Sequence, residues 1–159
     1  MMEFNNLRIK DVNALWEINE EGLPGTGKIS PDAMSELLHL GEFCIGAYEK
    51  ENLLGFVICL LPNRNYGSLN YAWFNNNYAN FLYVDRIAVS ERYRNKKIGS
   101  LLYEKVITHA QKLDLPIAAE VSLKPPNPDS IRFHKRHGFV EVGVLHHEKK
   151  SVTMMLRDS

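Results

Sequence analysis

The spacing of hydrophobic and polar positions changes several times along the chain, and each change marks an element. Phe4 to Ile9 reads as a first strand. Asp11 stands where a helix cap belongs, with Val12, Leu15, Trp16 and Ile18 on the buried side of the helix that follows. Residues 21–30 carry three glycines and a proline and read as a loop. Ser30 as N-cap and Pro31 at the first helical position restart a helix through Leu40. Residues 43–50 and 53–61 are strand-like runs separated by a turn signal at Glu49–Asn52. Residues 63–80 are crowded with Asn and aromatic residues and show no clean period, so they read as a loop between two core strands.

The second half is more regular. Residues 81–89 form a strand. Residues 98–113 form an amphipathic helix with Ile98, Leu101, Leu102, Val106, Ala110 and Leu113 on one face. Residues 116–123 form another strand. A short helix follows, with Asn127 as cap, Pro128 at its first position and Gly138 as its stop. Residues 139–148 and 149–157 close the chain as a strand pair. The predicted order β-α-α-β-β-β-α-β-α-β-β is a mixed α/β (α+β) architecture with antiparallel hairpins in one domain over 1–159, not a doubly wound nucleotide fold.

Composition narrows the class. With 159 residues, 45% of them hydrophobic, the chain can fill one core, and disordered, collagenous and disulfide-scaffold classes fall away. The 19 basic and 19 acidic side chains cancel, which argues against a nucleic-acid partner. The longest apolar run, Phe56 to Leu61, is far short of the roughly 20 residues a membrane span needs, and no apolar leader opens the chain. Cys44 and Cys59 lack metal or redox spacing and read as two buried free thiols in a reducing compartment, so a cytoplasmic location is expected. The balance hides an asymmetry: residues 1–60 carry 4 basic and 10 acidic groups, the remainder 15 basic and 9 acidic. An anionic ligand in one half and a cationic one in the other would suit that division.

The chemistry concentrates at the junction between the strand at 81–89 and the following helix. Arg94, Lys96 and Lys97 stand just ahead of a helix N-terminus, whose free N–H groups and partial positive charge accept phosphate oxygens. Gly99 lets the backbone come close. A diphosphate fits this turn, although the glycines of a P-loop or dinucleotide fingerprint are absent.

Strand, basic turn, helix and strand, then N-P-D-S-x-x-F-H-x-x-x-G-F from Asn127 and a closing strand pair, resemble the GNAT superfamily of acyl-CoA-dependent N-acyltransferases. The resemblance implies a mostly antiparallel central sheet flanked by helices, with two splayed parallel strands at the CoA site. The family's Q/R-x-x-G-x-G/A signature corresponds to Arg94-Asn95-Lys96-Lys97-Ile98-Gly99, with Lys97 in place of the middle glycine and Ser100 next in line. Lys97 must therefore adopt an unusual backbone angle or leave one amide less well placed, and its ammonium can pair with phosphate instead. The resemblance assigns pantetheine contacts to the backbone of Ile87, Ala88 and Val89 and to Asn127, with Ser130 and Phe133 on the same helix. Where many members carry a tyrosine that protonates the departing thiolate, this chain has His134. Glu120 stands near the place of a general base in some members. Asp85 on the neighbouring strand is the rival, with an ion pair to Arg86 as its competing role.

The function implied is direct, acetyl-CoA-dependent acetylation of a primary amine, with no metal and no covalent enzyme intermediate. A non-catalytic acyl-CoA-binding regulator is the other reading that the departures at Lys97 and His134 leave open. The acceptor is a small-molecule or peptide amine, with no nucleic acid or membrane partner and with a homodimer left open. Glu17, Glu20 and Glu21 before the Gly/Pro loop could attract its cation, or form an exposed acidic helix face. Tyr66, Tyr71, Trp73, Phe74 and Tyr78 could offer it cation–π faces, or cover the sheet edge. His146 and His147 in the closing hairpin read as exposed.

Overall fold

The computed structural model describes residues 1–158. Strands β1 (Met2–Asn6), β2 (Phe43–Glu49), β3 (Asn52–Leu60), β4 (Leu82–Val89), β5 (Ile117–Lys124), β6 (Val140–His147) and β7 (Lys150–Arg157) form one sheet in the order β1-β2-β3-β4-β5-β7-β6. Every neighbouring pair is antiparallel except β4–β5. Helices α1 (Val12–Glu21), α2 (Pro31–Leu40) and α3 (Leu69–Asn77) supply one layer, and α4 (Ile98–Leu113) and α5 (Pro128–Arg136) the other.

Strand alternation divides the core between these layers. Leu82, Val84, Ala119 and Met155 face Leu102, Tyr103 and Val106 of α4, while Phe56, Ile58, Tyr83 and Met154 face Leu15, Met34 and Leu37 of α1 and α2. Predicted caps form where expected: Ser30 Oγ accepts the Ala33 N–H at 3.1 Å, and Asn127 Oδ1 accepts the Ser130 N–H at 3.3 Å. Gly138, at φ +88°, takes a left-handed turn after α5 that a side chain would strain.

Four expectations require correction. The Asn/aromatic stretch contains α3, capped by Ser68 Oγ accepting the Tyr71 N–H. Its burial comes from Tyr71 and Phe74, spaced i, i+3, which pack on Tyr83 with ring centroids 5.1 and 5.7 Å away. Neither helix propensity nor amphipathic period announces this helix; tertiary packing makes it. The first strand ends at Asn6 rather than Ile9, because the chain turns at Ile9–Asp11. There Asp11 gives no side-chain cap; its carboxylate accepts the Arg8 N–H and the Tyr48 hydroxyl, both at 2.8 Å. Cys59 is buried, but Cys44 is only partly so, and burial pushes its thiol up to about 11.

Candidate active site

Only Leu82–Ile117 and Tyr83–Ala118 pair between the parallel strands β4 and β5; beyond them the strands diverge. A bulge reinforces the divergence. The β3–β4 register passes from Ile58–Arg86 to Cys59–Val84 and leaves Asp85 as the extra residue. Bulges bend a strand and re-aim its side chains. Here the bend sits where a cavity of about 320 Å³ crosses the sheet. Val84 and Ala119 from the α4 side line it together with Tyr66 and Asn70 from the α3 side. A second cavity, of about 550 Å³, runs between β4, the basic turn and α5. Ile87, Ser130 and His134 line both, so the two meet at the diverging strands.

Glu120 lines the first cavity. Its Oε1 accepts hydrogen bonds from Tyr83 Oη at 2.8 Å and Asn70 Nδ2 at 3.1 Å, while its Oε2 is buried without a partner. Burial, with Asp85 adding repulsion, raises its pKa from 4.5 to about 8 despite those two donors. Asn70 Oδ1 is also buried and unpartnered. Two acceptors without donors in one cavity fit a ligand that brings N–H groups.

Asp85 instead pairs with Arg86, its Oδ2 2.7 Å from the guanidinium Nε. Arg86 also donates to Asn19 Oδ1 and the Gly27 carbonyl, each at 3.1 Å. This buried cation fastens the α1–α2 loop over the cavity, where Pro24 to Gly27 form part of the lining. Glu17, Glu20 and Glu21 do not line the cavity. Glu21 is used elsewhere, its carboxylate accepting the Glu91 N–H at 2.9 Å. Of the aromatic candidates only Tyr66 reaches the lining.

His134 is buried between α5 and α4. Its Nδ1 lies 2.8 Å from the Ser130 carbonyl, which can only accept, so this nitrogen carries the hydrogen. Nε2 then accepts the Tyr103 hydroxyl at 2.8 Å. Burial lowers the pKa, and the neighbouring His137 acts in the same direction. A proton-donating imidazolium, the sequence expectation, therefore meets a site that holds the ring neutral with both nitrogens engaged.

At the second cavity Ile87, Ala88, Val89, Arg94, Asn95, Gly99, Ser130 and Phe133 all contribute lining. Lys96, Lys97, Ile98 and Ser100 do not. Lys96 and Lys97 are exposed on the turn, Ile98 is buried in the core and Ser100 continues α4. Lys97 is the N-cap of α4 at φ 63°, ψ 17°, the left-handed conformation that replacing a glycine demands. No side chain caps α4, so its first N–H groups stay available to a phosphate. Arg94 donates at 3.3 Å to the carbonyls of Val89 and Glu21, holding the turn against β4 and α1. A Cβ at Gly99 would touch the Phe133 ring at 3.4 Å, so the start of α4 lies close against α5. Asn127 lines neither cavity; it caps α5, and its Nδ2 would lie 3.7 Å from a Cβ built on Gly25. These residues fit an acyl-CoA: open amides and cations for the diphosphate, and a slot between diverging strands for the arm.

Sequence reasoning missed Asn70, Tyr83, Tyr103 and His147 as site residues. Asn70 lay in a stretch assigned no helix, and hence no face. Tyr83 could have been found by alternation, since it and Glu120 face the same side of neighbouring strands. His147, expected to be exposed, is half-buried and lines the first cavity with a buried, unpartnered Nε2. Among the described residues, no group of three His, Cys, Asp or Glu side chains is arranged to hold a metal ion, and no helix is long and apolar enough to cross a membrane.

Several solved structures share this architecture. Ard1 from Thermoplasma volcanium superposes with a TM-score of 0.80 at 18% identity, over 99% of this chain and 97% of that one. Arabidopsis thaliana NAA60 in complex with a bisubstrate analogue gives 0.79 at 16% identity, over 99% and 98%. Arabidopsis thaliana Naa50 in complex with the bisubstrate analogue CoA-Ac-MVNAL gives 0.75 at 21% identity, over 99% of each chain. At such identities the likeness shows the fold. No curated protein sequence matches this one. The model of the Acetyltransferase (GNAT) family, however, matches residues 12–139, the span that holds the basic turn, Glu120 and α5, and the chain belongs to that family of acetyl-CoA-dependent acetyltransferases.

Proposed function

We propose that this protein transfers the acetyl group of acetyl-CoA directly to a primary amine, and that the acceptor is the α-amine of a peptide. The observation that carries the reading is Glu120: a half-buried side chain whose Oε2 is shielded from solvent without a partner, in a cavity that opens onto the second cavity beside the diverging strands. Bound acetyl-CoA supplies an activated acyl group at that junction, and this chain's residues do the rest. Glu120 Oε2 accepts a proton from the entering ammonium, while Tyr83 and Asn70 hold the other oxygen. Free backbone N–H groups on β4 past the bulge polarise the thioester carbonyl. Arg94, Lys96 and Lys97, with the open start of α4, hold the diphosphate. Ser130 and His134 flank the departing sulfur. With His134 neutral, the sulfur takes its proton from water or from the attacking nitrogen, which sheds its remaining surplus proton as the C–S bond breaks and the amide forms.

Acid–base matching supports an α-amine. With a pKa of about 8, Glu120 is close to the 7.7–8.0 of an α-ammonium, so proton transfer is nearly level. A lysine ammonium near 10.4 would give up its proton uphill by about 3 kcal/mol. The peptide-bearing analogue bound by Arabidopsis Naa50 supports the same acceptor class. Neither cysteine lines either cavity, which suits transfer without a thiol nucleophile.

A CoA-release screen across peptides with free N-termini, Nα-blocked lysine peptides and small amines tests the reading. Peptide α-amines should turn over, and mass spectrometry should place the acetyl group on the first nitrogen. Tight acetyl-CoA binding without release on any amine would identify a non-catalytic binding domain instead.

A further inference from the structure

We infer that the acceptor peptide carries a carboxylate within its second to fourth residues, and that His147 and Lys150 on the closing hairpin select it. The inference deepens the peptide reading above and rests on it.

Strand register supplies the geometry. On β5, Glu120 pairs with Met154 and Ser122 with Val152; on β6, Leu145 pairs with Val152 and His147 with Lys150. Residues two apart on a strand share a face, so Lys150, Val152 and Met154 form a row on the face that carries Glu120, with His147 beside Lys150 at its end. Val152, His147 and Lys150 line the same cavity as Glu120. The hairpin therefore forms one wall of the passage by which an acceptor reaches the base.

The chemistry of that wall is opposite to that of the floor. Glu120 Oε2 and Asn70 Oδ1 are unpartnered acceptors, suited to an ammonium. At the hairpin, His147 presents a buried Nε2 with no partner. Its neighbour His146 differs: it is exposed, and its Nδ1 is bonded to Ser151 Oγ at 2.7 Å. Lys150 stands next to Lys149 in the hairpin, and of the two only Lys150 lines the cavity. Neither lysine forms an ion pair among the described residues, and Glu148 is the one carboxylate in the turn. Lys150, beside an imidazole nitrogen that can donate in its N–H tautomer and has no acceptor, suits an anion there.

Distance sets where the anion sits. Lys150 is four residues along β7 from Met154, or roughly 13 Å, less the reach of the lysine's four-carbon stem. An amino acid's own carboxylate lies two bonds from its amine and cannot bridge that span. In an extended peptide each residue adds about 3.3–3.6 Å, so side chains at positions two to four can.

The test uses the full-length protein and one parent peptide with Asp, Asn or Lys placed in turn at positions two, three and four. At one or more of these positions the Asp peptide should exceed its Asn counterpart about fivefold or more in kcat/KM, expressed in KM, with the Lys peptide lowest and the differences compressed by salt. Lys150→Glu should reverse the Asp–Lys order, and His147→Phe should shrink the Asp preference. Equal kcat/KM for all three at every position would overturn the inference while leaving peptide acetylation intact, as would an unchanged order in Lys150→Glu. Turnover of small amines with no peptide acetylated would overturn the inference and the peptide reading together.

Discussion

Holding the Glu120 carboxyl away from water costs stability once it ionises, and the size of that effect follows from the structure. A carboxyl whose pKa rises from 4.5 unfolded to about 8 folded binds its proton more tightly in the native state. Between those values the unfolded chain carries fewer protons, so stability falls as pH rises, with the full loss reached above pH 8. The loss amounts to under about 1 kcal/mol at pH 5, about 3 kcal/mol at pH 7 and about 5 kcal/mol at pH 9. Glu120→Gln removes the charge and keeps the shape. Its amide oxygen can still accept from Tyr83 and Asn70, and its NH2 replaces the unpartnered oxygen. The variant should therefore be more stable than wild type by those amounts, a large share of a domain's usual 5–15 kcal/mol. Urea unfolding at the three pH values reads the difference directly. At slopes of about 1–3 kcal/mol/M, the pH 7 gap moves the midpoint by roughly 1–3 M. A gap that stays constant with pH, or a variant less stable than wild type at pH 9, would refute the reasoning.

Other consequences are smaller. Reversing Lys96 and Lys97 to Glu should weaken acetyl-CoA binding about tenfold or more by calorimetry, and added salt should weaken the wild type. Unchanged affinity would remove the basic turn from the site. Because Lys97 sits at φ 63°, Lys97→Gly should be more stable than Lys97→Ala by about 1 kcal/mol, seen as a melting temperature higher by a few degrees. His134→Phe leaves the buried Tyr103 hydroxyl without its acceptor and should cost about 1–3 kcal/mol in stability. It should leave the shape of the pH–rate profile unchanged, since a neutral ring is not the proton source; an alkaline fall in wild-type activity that the variant lacks would restore His134 as the acid.

Much of this fold is legible in the amino-acid sequence. Caps at Ser30 and Asn127 and the stop at Gly138 are local signals that tertiary structure did not override. The Asp85–Arg86 pair was foreseeable as adjacent opposite charges, although sequence could not show that a bulge turns Asp85 toward the cavity. For Lys97 the sequence leaves two outcomes, an unusual backbone angle or a less well placed amide, and the structure has the first. What sequence could not show depended on packing. Helix α3 exists because two of its rings seat on Tyr83, and without it Asn70 had no direction in which to point. His134 read as a donor until its partners were visible, since only the fold brings Tyr103 of α4 to its Nε2. His147 read as one of two hairpin histidines, and strand parity separates them only once the register with Lys150 and Ser151 is known.

The central claim is that Glu120 deprotonates an amine at the meeting point of two cavities, and the pH dependence of kcat/KM for wild type and Glu120→Gln on one α-amine peptide tests it most directly. The account predicts that wild-type activity rises toward pH 8 and that the variant is down about 100-fold at pH 7, with the gap closing at higher pH as free amine becomes abundant. Full activity in Glu120→Gln, or a loss of the same size at every pH, would contradict it.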